Sequence, residues 1–197
     1  MARYAEQEMN VIIALLRGVN VGGHHKIRME DLREICASLK LRDARTYLQS
    51  GNVVFRKTEK DLQMLSRKMA DAIERAHEFR PSVICRSAAE MKAVAAGNPF
   101  AARADLDPAK LAVSFLEEEI TVDARMRVLQ IKAEPEELRV SGKELFIYFP
   151  NGMGRPKLSM PTVERAVNTP MTSRNWNTVT KLIELAEEIE SASRIRP

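Results

Sequence analysis

Hydrophobic and polar positions along the chain switch between a strand period and a helix period, and the same order of switches occurs twice. Residues 9–16 are a nearly unbroken apolar run of strand length, suited to a buried central strand. After a glycine-containing stretch, Met29, Leu32, Ile35, Cys36 and Leu39 recur at helical spacing. Residues 44–49 and 52–56 read as two strands joined at Ser50-Gly51, a hairpin signal. Thr58 with Asp61 offers a helix start. Leu62, Leu65, Met69, Ile73 and Ala76 then form one helical stripe, which Pro81 ends, and residues 82–86 read as a strand. The order is β-α-β-β-α-β, the ferredoxin-like unit.

Residues 87–109 read as a linker with a short helix over 88–95, punctuated by Asn98-Pro99-Phe100 and Asp107-Pro108. The order then repeats. Residues 110–116 are strand-like, Val122, Met126 and Leu129 fall on one helical face, and residues 137–141 and 144–149 form a hairpin across Ser141-Gly142-Lys143. Pro156 is placed to open a helix ending near residue 167, with a short strand over 170–173. A last helix over 176–189 carries Val179, Leu182, Ile183, Ala186 and Ile189 on one side. The expected fold is α+β, with two ferredoxin-like halves (1–86 and 110–197), antiparallel sheets and a C-terminal helix in the second half. No shared residue pattern links the halves, so the repetition is one of topology.

Composition narrows the class. Of 197 residues, 45% are hydrophobic and 29% charged, the balance of a globular protein with a real core. No apolar run reaches the ~18–20 residues needed to cross a bilayer, and the polar, acidic start lacks the apolar stretch of a signal peptide. The expectation is a cytoplasmic protein without membrane attachment. Cys36 and Cys85 stand in apolar surroundings without a CxxC or metal-ligand spacing, as buried structural thiols do. Net charge is +4 and the pI is about 9.2, a mild excess that permits a phosphate-bearing partner. Aromatic residues at 5% argue against a large base-stacking platform.

The candidate chemistry lies in loops. Residues 17–28 join a strand to a helix through Gly18, Gly22 and Gly23, and Arg17, Lys26 and Arg28 add positive charge. Such a turn aims backbone N–H groups and a helix dipole at an anion, or simply lets a buried strand exit tightly. It is not a P-loop, because His24-His25 follows the glycine pair, and the spacing Gly18-Val-Asn-Val-Gly22 does not give the GxGxxG dinucleotide fingerprint. Those histidines are adjacent and not spaced as metal ligands, so no metal site is expected. Gln49-Ser50-Gly51-Asn52 is a tight hairpin, and β-α-β-β-α-β topology puts it at the same end of the sheet as the 17–28 loop. In the second half, Gly152-Met-Gly154-Arg155-Pro-Lys157 and Ser173-Arg174-Asn175-Trp176 meet in the same way, each at an expected helix start. The candidate ligand-binding residues are therefore Arg17, Asn20, Gly22, Gly23, Lys26, Ser50 and Asn52, with Arg155, Lys157, Arg174 and Asn175 as the second group. No catalytic set is legible and nothing in the sequence calls for a cofactor.

Four stretches together resemble the bacterial domain-of-unknown-function family numbered 1697. They are Leu15-Leu-Arg17-Gly18-Val-Asn20-Val-Gly22-Gly23 with Lys26-Ile27 beyond it, Arg45-Thr-Tyr47-Leu-Gln49-Ser50-Gly51-Asn52, Gly152-Met-Gly154-Arg155-Pro-Lys157-Leu158, and Ser173-Arg174-Asn175-Trp176-Asn177-Thr178. The resemblance runs over residues 10–186, implies a two-part ferredoxin-like fold and carries no assigned activity. Arg28 departs from it, standing where the pattern has proline.

Three classes of function fit these features. The favoured one is a cytosolic module that binds a phosphate-bearing ligand, nucleotide or nucleic acid, at the glycine-basic loops. An enzyme acting on a small anionic or phosphorylated substrate and a protein-interaction scaffold are the alternatives, and fold alone does not choose among them.

Overall fold

The computed structural model describes residues 9–21, 25–49 and 51–194, with the side chains of 193 and 194 excepted. Among them are six α-helices and two four-stranded antiparallel sheets. The first half runs β1 (Asn10–Leu16), α1 (Met29–Ser38), β2 (Arg42–Tyr47), β3 (Asn52–Lys57), α2 (Leu62–His77) and β4 (Val83–Ser87), with strand order β2-β3-β1-β4. The apolar run of β1 takes a central place because both its neighbours are strands: Ile13 lies opposite Val54 on one side and Arg86 on the other. A strand buried on both faces needs no alternation, and every residue from Val11 to Leu16 is buried.

Alternate residues of this sheet meet the two helices. Ile12, Ala14, Leu16, Val53, Phe55, Val83 and Cys85 form one core with Leu32, Ile35 and Cys36 of α1 and Leu65, Met69 and Ile73 of α2; Leu62 packs at its margin. The helical stripe read in α2 is therefore buried from Leu65 to Ile73, while Ala76, read as its last member, is exposed. Its cap differs from expectation. Asp61, not Thr58, precedes the helix and accepts from the Met64 N–H at 2.9 Å, because its carboxylate stands three residues before that donor.

The second half repeats the order with β5 (Leu111–Leu116), α4 (Val122–Leu129), β6 (Glu137–Ser141), β7 (Glu144–Tyr148), α5 (Met160–Val167) and β8 (Met171–Asn175), the strands ordered β6-β7-β5-β8. Ala112, Leu116, Leu145, Ile147 and Met171 pack with Val128 of α4 and Val163, Ala166 and Val167 of α5. Here too one boundary moves. The helix expected from Pro156 begins at Met160, with Ser159 capping the Thr162 N–H and Pro161 in its first turn. A carboxylate from elsewhere occupies the N–H groups after Pro156, as described below.

The helix α3 (Ala88–Ala96) follows β4 directly, and α6 (Trp176–Arg194) follows β8 directly. The chain forms two compact units, one spanning Met91–Lys181 and the other holding the first sheet together with α6 from Leu182 onward. Leu182, Ala186 and Ile189 are buried there, and Arg45 of β2 pairs with Glu188 of α6 at 2.7 Å. Among the described residues, no helix is long and apolar enough to cross a membrane.

Candidate functional site

The end of the first sheet where β1 leaves the core is organised by Asn20. Its backbone is left-handed, with φ at 57°, a conformation that asparagine tolerates better than most residues. Its side-chain amide donates to the Ile27 carbonyl at 3.0 Å and to the Gln49 carbonyl at 2.7 Å. Its side-chain oxygen accepts from the Ile27 N–H at 2.9 Å. One side chain thus joins both ends of the β1–α1 loop to the hairpin between β2 and β3.

The hairpin is fastened from below as well. The Leu16 N–H donates to the Gly51 carbonyl at 2.8 Å. Asn52 is completely buried, and its amide donates to the Tyr47 carbonyl at 2.9 Å across the turn. The loop and hairpin, expected at one end of the sheet, are brought together, with Arg17 and Lys26 exposed beside them. Gly22, Gly23, His24 and Ser50 lie outside the described residues. His25 follows them with its ring stacked on Phe79 at 4.4 Å and its Nδ1 3.3 Å from the Gly18 carbonyl oxygen.

Charge at this end is divided between exposed cations and an internal pair. Arg28 reaches forward to Asp31 at 2.7 Å, and the hydrogen bond from its guanidinium holds the Asp31 carboxyl below its usual range. Glu30 and Asp31 occupy the first turn of α1 and complement its dipole themselves. Arg28 is therefore paired within its own helix start, and Arg17 and Lys26 are exposed at the same end of the sheet.

The second group is differently employed. The backbone N–H groups of Lys157 and Leu158 donate to the Glu136 carboxylate at 3.2 and 3.0 Å, and Glu136 is 4% exposed. The loop does build an anion cradle, and the chain's own carboxylate fills it. Glu136 carried no sequence signal, because its partner N–H groups are 21 and 22 residues away and belong to the backbone. Arg174 is 8% exposed and donates to the Thr172 hydroxyl at 2.8 Å and the Ser173 carbonyl at 2.9 Å. Burial brings its guanidinium down to about 10. Asn175 accepts from the Asn177 N–H at 2.9 Å and donates to the Ala109 carbonyl at 2.9 Å, capping the start of α6. Arg155 and Lys157 extend into solvent.

Titration elsewhere follows burial. Desolvation pushes the Cys36 thiol up to about 11 and the Cys85 thiol up to about 12, and both are free and buried. They are core packing groups and not thiolate nucleophiles at neutral pH. No group of His, Cys, Asp and Glu suited to a metal ion occurs among the described residues.

Comparison with known proteins gives a fold and a family. The conserved bacterial protein SP0830 from Streptococcus pneumoniae has a similar structure, with a TM-score of 0.70 at 22% identity, covering 91% of this chain and 99% of that one. At that identity the likeness speaks for the fold alone. No curated protein matches. The family model of DUF1697, described as a protein of unknown function, matches residues 9–146. That range takes in the Asn20 loop and the hairpin with Gly51 and Asn52, and it stops before the loops at Gly152 and Ser173. The chain belongs to the DUF1697 family.

Proposed function

We propose that the protein is a cytosolic module, built of two ferredoxin-like halves, that binds a phosphate-bearing ligand at the loop–hairpin end of the first sheet. The antiparallel orders β2-β3-β1-β4 and β6-β7-β5-β8 support the ferredoxin-like reading. Two unpaired buried thiols suit a reducing compartment.

The observation that carries the binding site is the Asn20 brace. Bonds at 2.7–3.0 Å hold the loop and hairpin as one frame, on whose rim Arg17 and Lys26 stand exposed. A preformed frame spares the ligand the cost of ordering a loop, which adds to affinity. In this reading Arg17 and Lys26 meet the phosphate, Asn20 and Asn52 hold the shape of the frame, and Gly22, Gly23 and Ser50 remain candidates on sequence grounds alone. Arg155, Lys157, Arg174 and Asn175 form the competing site, and the claim of Glu136 on the Lys157 and Leu158 N–H groups favours the first.

Titration with inorganic phosphate, ATP and a short oligonucleotide at low and high salt tests this reading. Arg17→Ala and Lys26→Ala should each weaken binding by ~1–3 kcal/mol, the scale of a charge-assisted hydrogen bond, with little change in melting temperature. Oligonucleotide affinity should fall steeply with salt. Unchanged binding in both variants, or binding lost only in Lys157→Ala, removes the site from this end of the sheet.

A further inference from the structure

A second basic site lies at the open edge of the first sheet, away from the loops. Across the β2–β3 ladder, Arg42 stands opposite Arg56 and Arg45 opposite Val54. Asp43 and Ala44 of β2 thus stand against the single residue Phe55 of β3, and the extra residue makes a bulge in which Asp43 has φ at 53°. Without the bulge, side chains three apart on a strand would point to opposite faces. With it, Arg42 and Arg45 share the face that also carries Val54 and Arg56, opposite the core face of Val53 and Phe55.

This arrangement works against folding. Like charges directly opposite each other destabilise a sheet, and a left-handed non-glycine residue adds strain. A bulge that re-aims a side chain at a sheet edge recurs next to binding and active sites. Beside it lies a groove of about 270 Å³, lined by Asp43, Ala44, Arg45, Arg56, Ile189 and Ala192. Two carboxylates already lie against the arginines, Glu188 on Arg45 at 2.7 Å and Asp43 on Arg56 at 3.4 Å. Both pairs are partly exposed, and pairs of that kind hold weakly enough for a ligand to displace them.

We infer that this groove binds a short organic dianion, with a carboxylate or phosphoryl group on each of Arg45 and Arg56 and its carbon spacer against Ala44, Ile189 and Ala192. Guanidinium groups suit both kinds of anionic end. The volume favours a small molecule over a peptide, and the bulge interrupts the edge against which an added strand would pair.

Calorimetric titration with succinate and with 3-phosphonopropionate, each with an anionic group at both ends, tests the inference, with acetate as the single-charge control. Saturable binding of at least one dianion is expected, tighter than acetate. It should weaken about tenfold in Arg45→Gln and in Arg56→Gln, and stay unchanged in Arg33→Gln, which removes the same charge from exposed α1 surface. If either arginine variant fails to fold, Ala192→Trp decides, since it fills the groove and keeps both arginines. Loss of binding in Ala192→Trp supports the groove. No saturable binding of either dianion, or binding that survives Ala192→Trp, overturns it.

Discussion

The side-chain amide of Asn20 lies 2.7 Å from the carbonyl oxygen of Gln49, so a residue just past β1 holds the turn that joins β2 to β3. Because the same side chain also makes two bonds to Ile27, its loss frees both ends of the loop at once.

Two substitutions separate those bonds from the backbone strain at Asn20. Asn20→Ala and Asn20→Gly should each lose about 1–3 kcal/mol of stability through the missing hydrogen bonds. Alanine should cost ~1–2 kcal/mol more than glycine, because only alanine meets the left-handed penalty at φ 57°. Urea unfolding measures both. Equal losses would show that the φ value relaxes when the brace is gone.

Gly51 gives a sharper steric contrast. Its φ is +73°, and an added Cβ would stand 2.7 Å from the Cβ of Leu16, inside the core strand. Gly152 also has positive φ, at +85°, with open space around it. Gly51→Ala should therefore destabilise by several kcal/mol and Gly152→Ala by about 1–2 kcal/mol, the penalty of the left-handed region alone. Thermal unfolding of the pair checks the order.

On α2, Leu65 is 2% exposed, and Lys68, three residues on, lies at the surface 3.5 Å from Glu59. Leu65→Ala should cost ~2–5 kcal/mol and Lys68→Ala no more than ~1 kcal/mol. Similar denaturation midpoints for the two would mean that the helix turns a different face to the sheet.

The stripe of α2 was legible because a helix that covers one face of a sheet repeats its apolar residues every three or four positions; in α4 the apolar face read at Val122, Met126 and Leu129 is exposed, and Val128 packs inward. Leu65, Met69 and Ile73 satisfy that rule from sequence alone, and the run over 9–16 declares a strand buried on both faces. What escaped were features set by distant partners. Pro156 has the form of a helix start, yet Glu136 takes the N–H groups that follow it, and the helix begins at Met160. The strand β2 runs over Arg42–Tyr47 in place of the expected 44–49, because Leu48 already turns left-handed into the hairpin, and only the ladder with β3 shows which arginines share a face. The candidate site was legible in the pairing of loop and hairpin, which topology dictates. The bracing use of Asn20 and Asn52 was not, because their partners are backbone carbonyls that no residue type signals.

The buried thiols set an alkaline limit. Cys36 and Cys85 ionise near 11 and 12 in the fold, against an ordinary value of 9.0, so the folded state prefers the neutral thiol. Their contribution is intact below pH 9 and is lost as pH rises from about 9 through 11 to 12, while the unfolded chain ionises first. Cys36→Ala should flatten part of that decline. At pH 8 neither thiol should react with a thiol reagent until denaturant is added, and prompt reaction of the native protein would contradict their burial.

The binding site itself is tested most directly by amide NMR of the labelled protein during titration with ATP and inorganic phosphate. The resonances of Arg17, Gly18, Asn20, Lys26, Ile27 and Gly51 should shift together along one saturable curve, with those of Lys157, Leu158 and Asn177 unmoved. Shifts confined to Lys157, Leu158 and Asn177, or no saturable shift with either ligand, would contradict the assignment of the site to the Asn20 frame.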